Sequence, residues 1–319
     1  MTQADAGEAD KPTAESGSPS FPFGLAVDTA RNGVLEPNET SVVTPRWRNG
    51  GATPLALTGL FSSFDGPEGG TYTINDANGN YGTIAPGANQ ACIDCYAVTV
   101  TAEAERPAQH WDGLVVETVS TTTFALWRLH VGASFTDVPL SSPFYRFVET
   151  LLHNGVTGGC DNDLYCPANI TTREQMSAFV LLAKDGTNLP VACAPPNIFT
   201  DVPDTSAFCR FIEELSRRGV VTGCAPNLFC PTSPVTREQM AIFVLRTLDP
   251  TFTPPPCTGT PIFNDVPNSS PFCPWIAELV RRNVVTGCGG GNYCPTQGVT
   301  REQMSVFITV PFGLALYGL

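Results

Sequence analysis

Cysteine and arginine are the residues of this chain whose spacing points to chemistry. Ten of the twelve cysteines recur in a fixed pattern. Cys160 and Cys166, Cys224 and Cys230, and Cys288 and Cys294 bracket three equivalent loops, and each pair is expected to close its loop as a disulfide. Cys193 occurs with Cys209 and Cys257 with Cys273, whereas the first copy of the pattern has Tyr145 at the place of Cys209 and Cys273 and no cysteine ahead of it. Cysteines that appear and vanish together are predicted to be bonded, and closing a loop of that size stabilises by roughly 3 kcal/mol in the chain-entropy model. Cys92 and Cys95 form a lone C-x-x-C leading into the strand-like run CYAVTV. Redox pairs sit at helix N-termini, so this one is expected to be a structural disulfide. Two cysteines per loop with no recurring histidine do not make a zinc site, and no metal or cofactor is expected. His110, His130 and His153 fall in neither a triad nor a metal-ligand spacing.

The second motif is T-R-E-Q-M, at Thr172, Thr236 and Thr300. Thr with Gln three residues on (Gln175, Gln239, Gln303) makes a capping box, and Glu at N2 suits the positive end of the helix dipole. Val235 and Val299 at N′ suit a hydrophobic staple onto Met240 and Met304; the first copy has Thr171 there. Arg173, Arg237 and Arg301 at N1 gain nothing from capping and oppose the dipole. Two readings stand side by side: an internal partner, with Asp137, Asp201 and Asp265 as the candidates, or an outside anion held by guanidinium and helix amides together.

These motifs sit in a repeat. Phe135, Phe199 and Phe263 open F-x-D-V-P, and every equivalent residue follows at a step of 64. Each unit reads as a first helix, a turn with Gly219 or Asn283 in the left-handed position, the cysteine loop, and a second helix from T-R-E-Q-M. The connectors DGTNLPVACAPPN and DPTFTPPPCTGTP are too proline-rich to be helical. Ahead of the repeats, TSVVTPRW, GTYTI, CYAVTV, GLVVETV and FALWRLHV alternate as short strands between turn residues, the pattern of an immunoglobulin-like sandwich. Asp28, Asn32, Glu36 and Glu39 could ligate calcium through oxygen, but strand and turn roles account for them. Trp111 is expected in the core. The domains expected are an acidic disordered tail at 1–20, the sandwich at 21–133, and repeats at 134–198, 199–262 and 263–319.

Composition bounds the partners. With 17 basic against 30 acidic residues the formal charge is -13, which disfavours nucleic acid and anionic membranes. The cysteine usage fits an oxidising, extracellular compartment. The opening MTQADAGEADKPTAESGSPS has no apolar h-region and does not read as a signal peptide, so an export signal is expected upstream or already removed. No apolar run is long enough to span a membrane.

F-x-D-V, a first helix, the T-G turn, the loop aromatic and T-R-E-Q together resemble the S-layer homology module in three tandem copies. The resemblance implies a mainly α, pseudo-threefold module whose inter-repeat grooves bind anionic, often pyruvylated, cell-wall polysaccharide. It implicates Arg173, Arg237 and Arg301 with Thr172, Thr236 and Thr300. The sequence departs from that family in having Glu-Gln after each arginine, Phe144, Phe208 and Phe272 before the first helix, and the disulfides. The expectation is a multi-domain, non-enzymatic, secreted bacterial surface protein, an all-β sandwich displayed by a glycan-binding module. The alternative is a subunit of a self-assembling fibre or layer, in which FPFGLAVD and PFGLALYGL pair between copies by strand addition; a weaker third is a fragment of a secreted enzyme lacking its catalytic domain.

Overall fold

A computed structural model describes residues 20–28, 33–102, 108–109, 111–120, 123–132, 134–186, 188–314 and 316. The expected tail lies outside these apart from Ser20, as do Asn32 and His110. The chain divides into two compact units, residues 1–153 with 315–319, and residues 154–314.

Among the described residues the first unit holds nine strands: β1 (Ser20–Val27), β2 (Thr40–Asn49), β3 (Leu55–Asp65), β4 (Gly70–Asp76), β5 (Asn78–Ile84), β6 (Asn89–Ala91), β7 (Tyr96–Ala102), β8 (Trp111–Thr118) and β9 (Phe124–Val131). They form two antiparallel sheets, ordered β1-β2-β7-β4 with β6 on β2, and β5-β3-β8-β9. Alternation is strict on β2, β8 and β9. On β8, Trp111, Gly113, Val115 and Glu117 turn inward while Asp112, Leu114, Val116 and Thr118 do not. The core gathers Trp47, Phe61, Tyr81, Tyr96, Trp111 and Trp127, all essentially inaccessible. FPFGLAVD is therefore already paired with β2, as an edge strand of the first sheet; most of PFGLALYGL past Leu314 is outside the described residues.

Inside that core sits a carboxylate. Glu117 accepts from Trp47 Nε1 (2.9 Å), Trp127 Nε1 (2.6 Å), Tyr81 Oη and Tyr96 Oη (both 2.5 Å). Burial pushes its pKa up against the pull of these four donors. Gly59 is required beside it, because a Cβ there would collide with the Tyr96 hydroxyl and the Glu117 carboxylate.

Helix α1 (Tyr145–His153), the first helix of repeat 1, groups with the sandwich, so the compact division falls later than the expected boundary at residue 133. Tyr145 Oη donates to Glu36 (2.5 Å), and Glu149 accepts from Ser134 N (2.7 Å) and Oγ (2.8 Å). Glu39 accepts from Ser41 (3.0 Å), and Trp111 is wholly buried, donating to Tyr72 (2.7 Å). Glu36 and Glu39 thus serve turns and packing.

The second unit contains α2 (Arg173–Asp185), α3 (Cys209–Arg217), α4 (Arg237–Leu248), α5 (Cys273–Arg281) and α6 (Arg301–Thr309). The second helix of one repeat packs on the first of the next, α2 on α3 and α4 on α5. The first helices end as the sequence indicates. Gly219 and Asn283 have φ of 70° and 56°, and Val220 N and Val284 N return to Leu215 O and Leu279 O, both at 2.9 Å. All six expected disulfides are present, with no free cysteine among the described residues.

Candidate functional site: the seams between repeats

Each cysteine loop is a miniature hairpin. Cys224 N donates to Leu228 O (2.8 Å), Ala225 bridges Leu228, and Cys230 takes a left-handed φ of 57°. Gly223, at φ 94°, has no room for a Cβ against Leu228 O. In repeats 2 and 3 the aspartate of F-x-D-V-P caps this loop within its own repeat. Asp201 accepts from Phe229 N (2.8 Å) and Cys230 N (2.7 Å), and Asp265 does the same for Tyr293 N and Cys294 N (both 2.8 Å). Burial works against ionisation of Asp265, but these amides hold its pKa below the usual value.

The arginines reach across to the next repeat. Arg173 Nε donates to Phe229 O (2.8 Å), Arg237 Nε to Tyr293 O (2.8 Å), and Arg301 Nε to Tyr165 O (2.7 Å). Repeat 1 holds repeat 2, repeat 2 holds repeat 3, and repeat 3 holds repeat 1. Each guanidinium also lies between two rings of the repeat it grips. These are Phe229 and Phe243 at 4.7 and 5.4 Å for Arg173, Tyr293 and Phe307 at 4.8 and 5.7 Å for Arg237, and Tyr165 and Phe179 at 4.7 and 5.4 Å for Arg301. All three are more than nine-tenths buried. Burial lowers the pKa of Arg173 while the charge of Asp201 raises it. The side-chain contacts made by Asp201 and Asp265 are thus with loop amides, and the arginine bonds to the carbonyl on the neighbouring backbone.

The helix amides follow the same cycle. Arg173 N and Glu174 N donate to Ser233 O and Pro231 O, Arg237 N and Glu238 N to Gln297 O and Pro295 O, and Arg301 N and Glu302 N to Asn169 O and Pro167 O, all at 2.9–3.0 Å. The N3 amide is taken by the capping threonine, at 3.4 Å in each case. The first-turn amides expected for an anion are therefore engaged within the chain. The capping box is complete in α2 and α4, while Thr300 of α6 caps the N3 amide.

A feature that spacing did not reveal closes the centre. Thr171 N donates to Val299 O (2.9 Å), Val299 N to Val235 O (2.9 Å), and Val235 N to Thr171 O (3.0 Å). The N′ residues thus form a three-membered ring of backbone hydrogen bonds, fully buried. Their role as ring members, which needs only a buried side chain and a free backbone, explains why threonine serves as well as valine. A cleft of about 410 Å³ lies elsewhere, over the Cys193–Cys209 disulfide, lined by Leu189, Asp204, Ser206, Arg210 and Phe211 among others and by no T-R-E-Q residue.

Two groupings of metal-ligating side chains occur among the described residues. Cys193, Cys209 and Glu213 make one, but its sulfurs are bonded to each other. The other is Asp112, His130 and His153, brought together within the first unit. Spacing along the chain does not show this grouping, because the three lie on β8, β9 and α1 rather than in one stretch.

A cyclic module of three helix-pair repeats, stapled by loop disulfides and preceded by an antiparallel sandwich, is the class that this architecture defines. The S-layer homology domain profile matches residues 134–177, 198–241 and 262–305. Residues 134–305 thus carry three tandem S-layer homology domains. It is also 32% identical over 134 residues to an endoglucanase of Bacillus sp. (strain KSM-635), a match covering 41% of this chain and 13% of that protein. No described helix is long and apolar enough to cross a membrane.

Proposed function

We propose that the three repeats hold an anionic cell-envelope glycan non-covalently and so display the sandwich at the bacterial surface, without catalysing a reaction. The observation that carries this reading is the closed cycle of three like seams, each with an arginine and a threonine at the start of a helix. A polymer presents the same anionic group at intervals, so equivalent seams bind it with avidity beyond any single contact. In each seam Nε of the arginine is committed to the fold, and we assign the ligand to the remaining guanidinium edge of Arg173 and Arg237. The threonine hydroxyl accepts the N3 amide and retains its own proton to donate. Glu174 and Glu238 have pKa values raised by burial, which eases protonation of a carboxylate that would otherwise repel the ligand.

Co-sedimentation with purified cell-wall sacculi tests this, using sacculi with and without their acid-labile anionic polymer. Binding to the first alone is expected, and absence of binding by the folded wild-type protein overturns the reading. Single Arg→Lys variants at 173, 237 and 301, each shown to be folded by circular dichroism, separate the roles: undiminished binding in all three removes the guanidinium forks from the ligand contact. The similarity to an endoglucanase makes catalysis worth measuring, and no release of reducing ends from soluble cellulose is expected.

One observation favours self-assembly as a second reading. The edge strand β1 exposes Phe21 and Phe23, 37% and 49% accessible, with Arg48 over both rings at 5.9 and 6.0 Å. Filaments formed by purified protein in the electron microscope without added glycan would support it.

A further inference from the structure

Repeat 1 differs from its sisters at one telling position. Where repeats 2 and 3 have Arg217 and Arg281, it has His153. Those arginines pair with acids of their own helices, Arg217 with Glu213 (2.9 Å) and Arg281 with Glu278 (2.5 Å). His153 keeps such a neighbour, with Nε2 3.6 Å from Glu149 Oε2, but its Nδ1 lies 3.9 Å from Asp112 Oδ1. Asp112 and His130 are directly opposed residues of β8 and β9, and His130 Nδ1 shares a hydrogen bond with that same Oδ1. The two imidazole rings are 4.0 Å apart, and one ligand atom from each of the three residues lies within 4.8 Å of the others. The side chains are only 2%, 11% and 15% accessible for His153, His130 and Asp112. The chain has three histidines in 319 residues, and two of them meet here.

We propose that Asp112, His130 and His153 bind one divalent transition-metal ion of the zinc class. Two imidazoles and one carboxylate are a zinc donor set, and bonds of about 2.0–2.2 Å place the donors roughly 3.4 Å apart around a tetrahedral ion. The separations, 3.9 Å from His153 Nδ1 to Asp112 Oδ1 and no more than 4.8 Å across the set, close to that with small side-chain movements. The ion displaces the proton shared by His130 and Asp112, which passes to solvent on binding. Outer contacts are already in place. Arg128 Nη1 holds the other oxygen of Asp112 at 2.9 Å. Glu149, itself fixed by Ser134, stands behind His153 as the carboxylate of a carboxylate–histidine–metal relay. Bound there, the ion ties the β8–β9 pair to helix α1. The inference is independent of glycan binding.

Isothermal titration with Zn²⁺ of the oxidised, chelator-stripped full chain tests it, with Co²⁺ visible absorption as a second readout. One equivalent is expected, with a tetrahedral cobalt band and a raised unfolding temperature. His153→Arg restores the residue of the sister repeats with its Glu149 partner, so it should fold while weakening zinc on the order of 100-fold or more. His130→Gln should do the same, and Glu149→Gln should cost about 10–100-fold. No zinc heat and no cobalt band on the folded wild type overturn the proposal, leaving a hydrogen-bonded cluster. Unchanged affinity in either histidine variant also overturns it.

Discussion

Glu117 ties together five strands at the centre of the sandwich core. Its carboxylate receives four donors, two phenols and two indoles, in a core otherwise apolar. Glu117→Gln keeps the volume but turns one acceptor into an NH₂ that faces donors, and an unmade buried hydrogen bond to a charged group costs more than 1–3 kcal/mol. We expect a loss of about 3 kcal/mol, read as a lowered urea midpoint of the sandwich transition. The sequence carried a sign of this residue, since alternation along GLVVETV places Glu117 on the same face as Val115. Its partners on β2, β5, β7 and β9 could not be read, because pairing between strands is not written in the period of any one of them. The disulfides were legible for the opposite reason: joint presence and joint absence of cysteines carries pairing information that distance in the chain does not hide. Each arginine was visible as an anomaly at N1, but its partner was not. That partner is a backbone carbonyl 56 residues on for Arg173 and Arg237, or 136 back for Arg301, and a carbonyl has no residue type to recognise.

At the scale of elements, caps and turns were legible because they are local chemistry, as the T-x-x-Q boxes and the left-handed Gly219 and Asn283 show. The strands β1, β3, β5 and β6 lacked a clean alternating signature and emerge only from the pairing. Helix α5 yields a pH prediction. The Arg281 guanidinium, followed by that of Arg282, holds the Glu278 carboxyl down at about 2. A carboxyl whose pKa falls on folding stabilises fully above its unfolded value, near 4.5, and that stability is lost as pH drops from there through about 2. Glu214 on α3 is shifted the same way by Arg218, whereas α1 has Thr150 at this place, bonded to Arg146 O at 2.7 Å. Acid should therefore loosen repeats 2 and 3 through these helices, and Glu278→Gln should flatten the melting temperature between pH 4.5 and 2. An unaltered pH profile in that variant would refute the assignment.

The whole repeat module differs from an open solenoid in having no end. In a linear array each repeat leans only on its neighbours, and a contact at a terminal repeat costs little when lost. Here the Arg301–Tyr165 contact and the hydrogen bond from Thr171 N to Val299 O join the last repeat to the first. The three seams are equivalent in distance and in the rings that flank each guanidinium. Lysine retains the charge but has neither Nε nor a planar face to lie between two rings. Arg301→Lys should therefore destabilise the module by about 2–4 kcal/mol, from the orphaned carbonyl together with the lost stacking. Arg173→Lys should cost about the same. Guanidinium-induced unfolding followed by near-ultraviolet circular dichroism measures both. A closed ring predicts equal losses and one cooperative transition for residues 154–314. An open chain predicts a small loss for Arg301→Lys with early fraying of repeat 3, and that outcome would remove the ring as the source of stability.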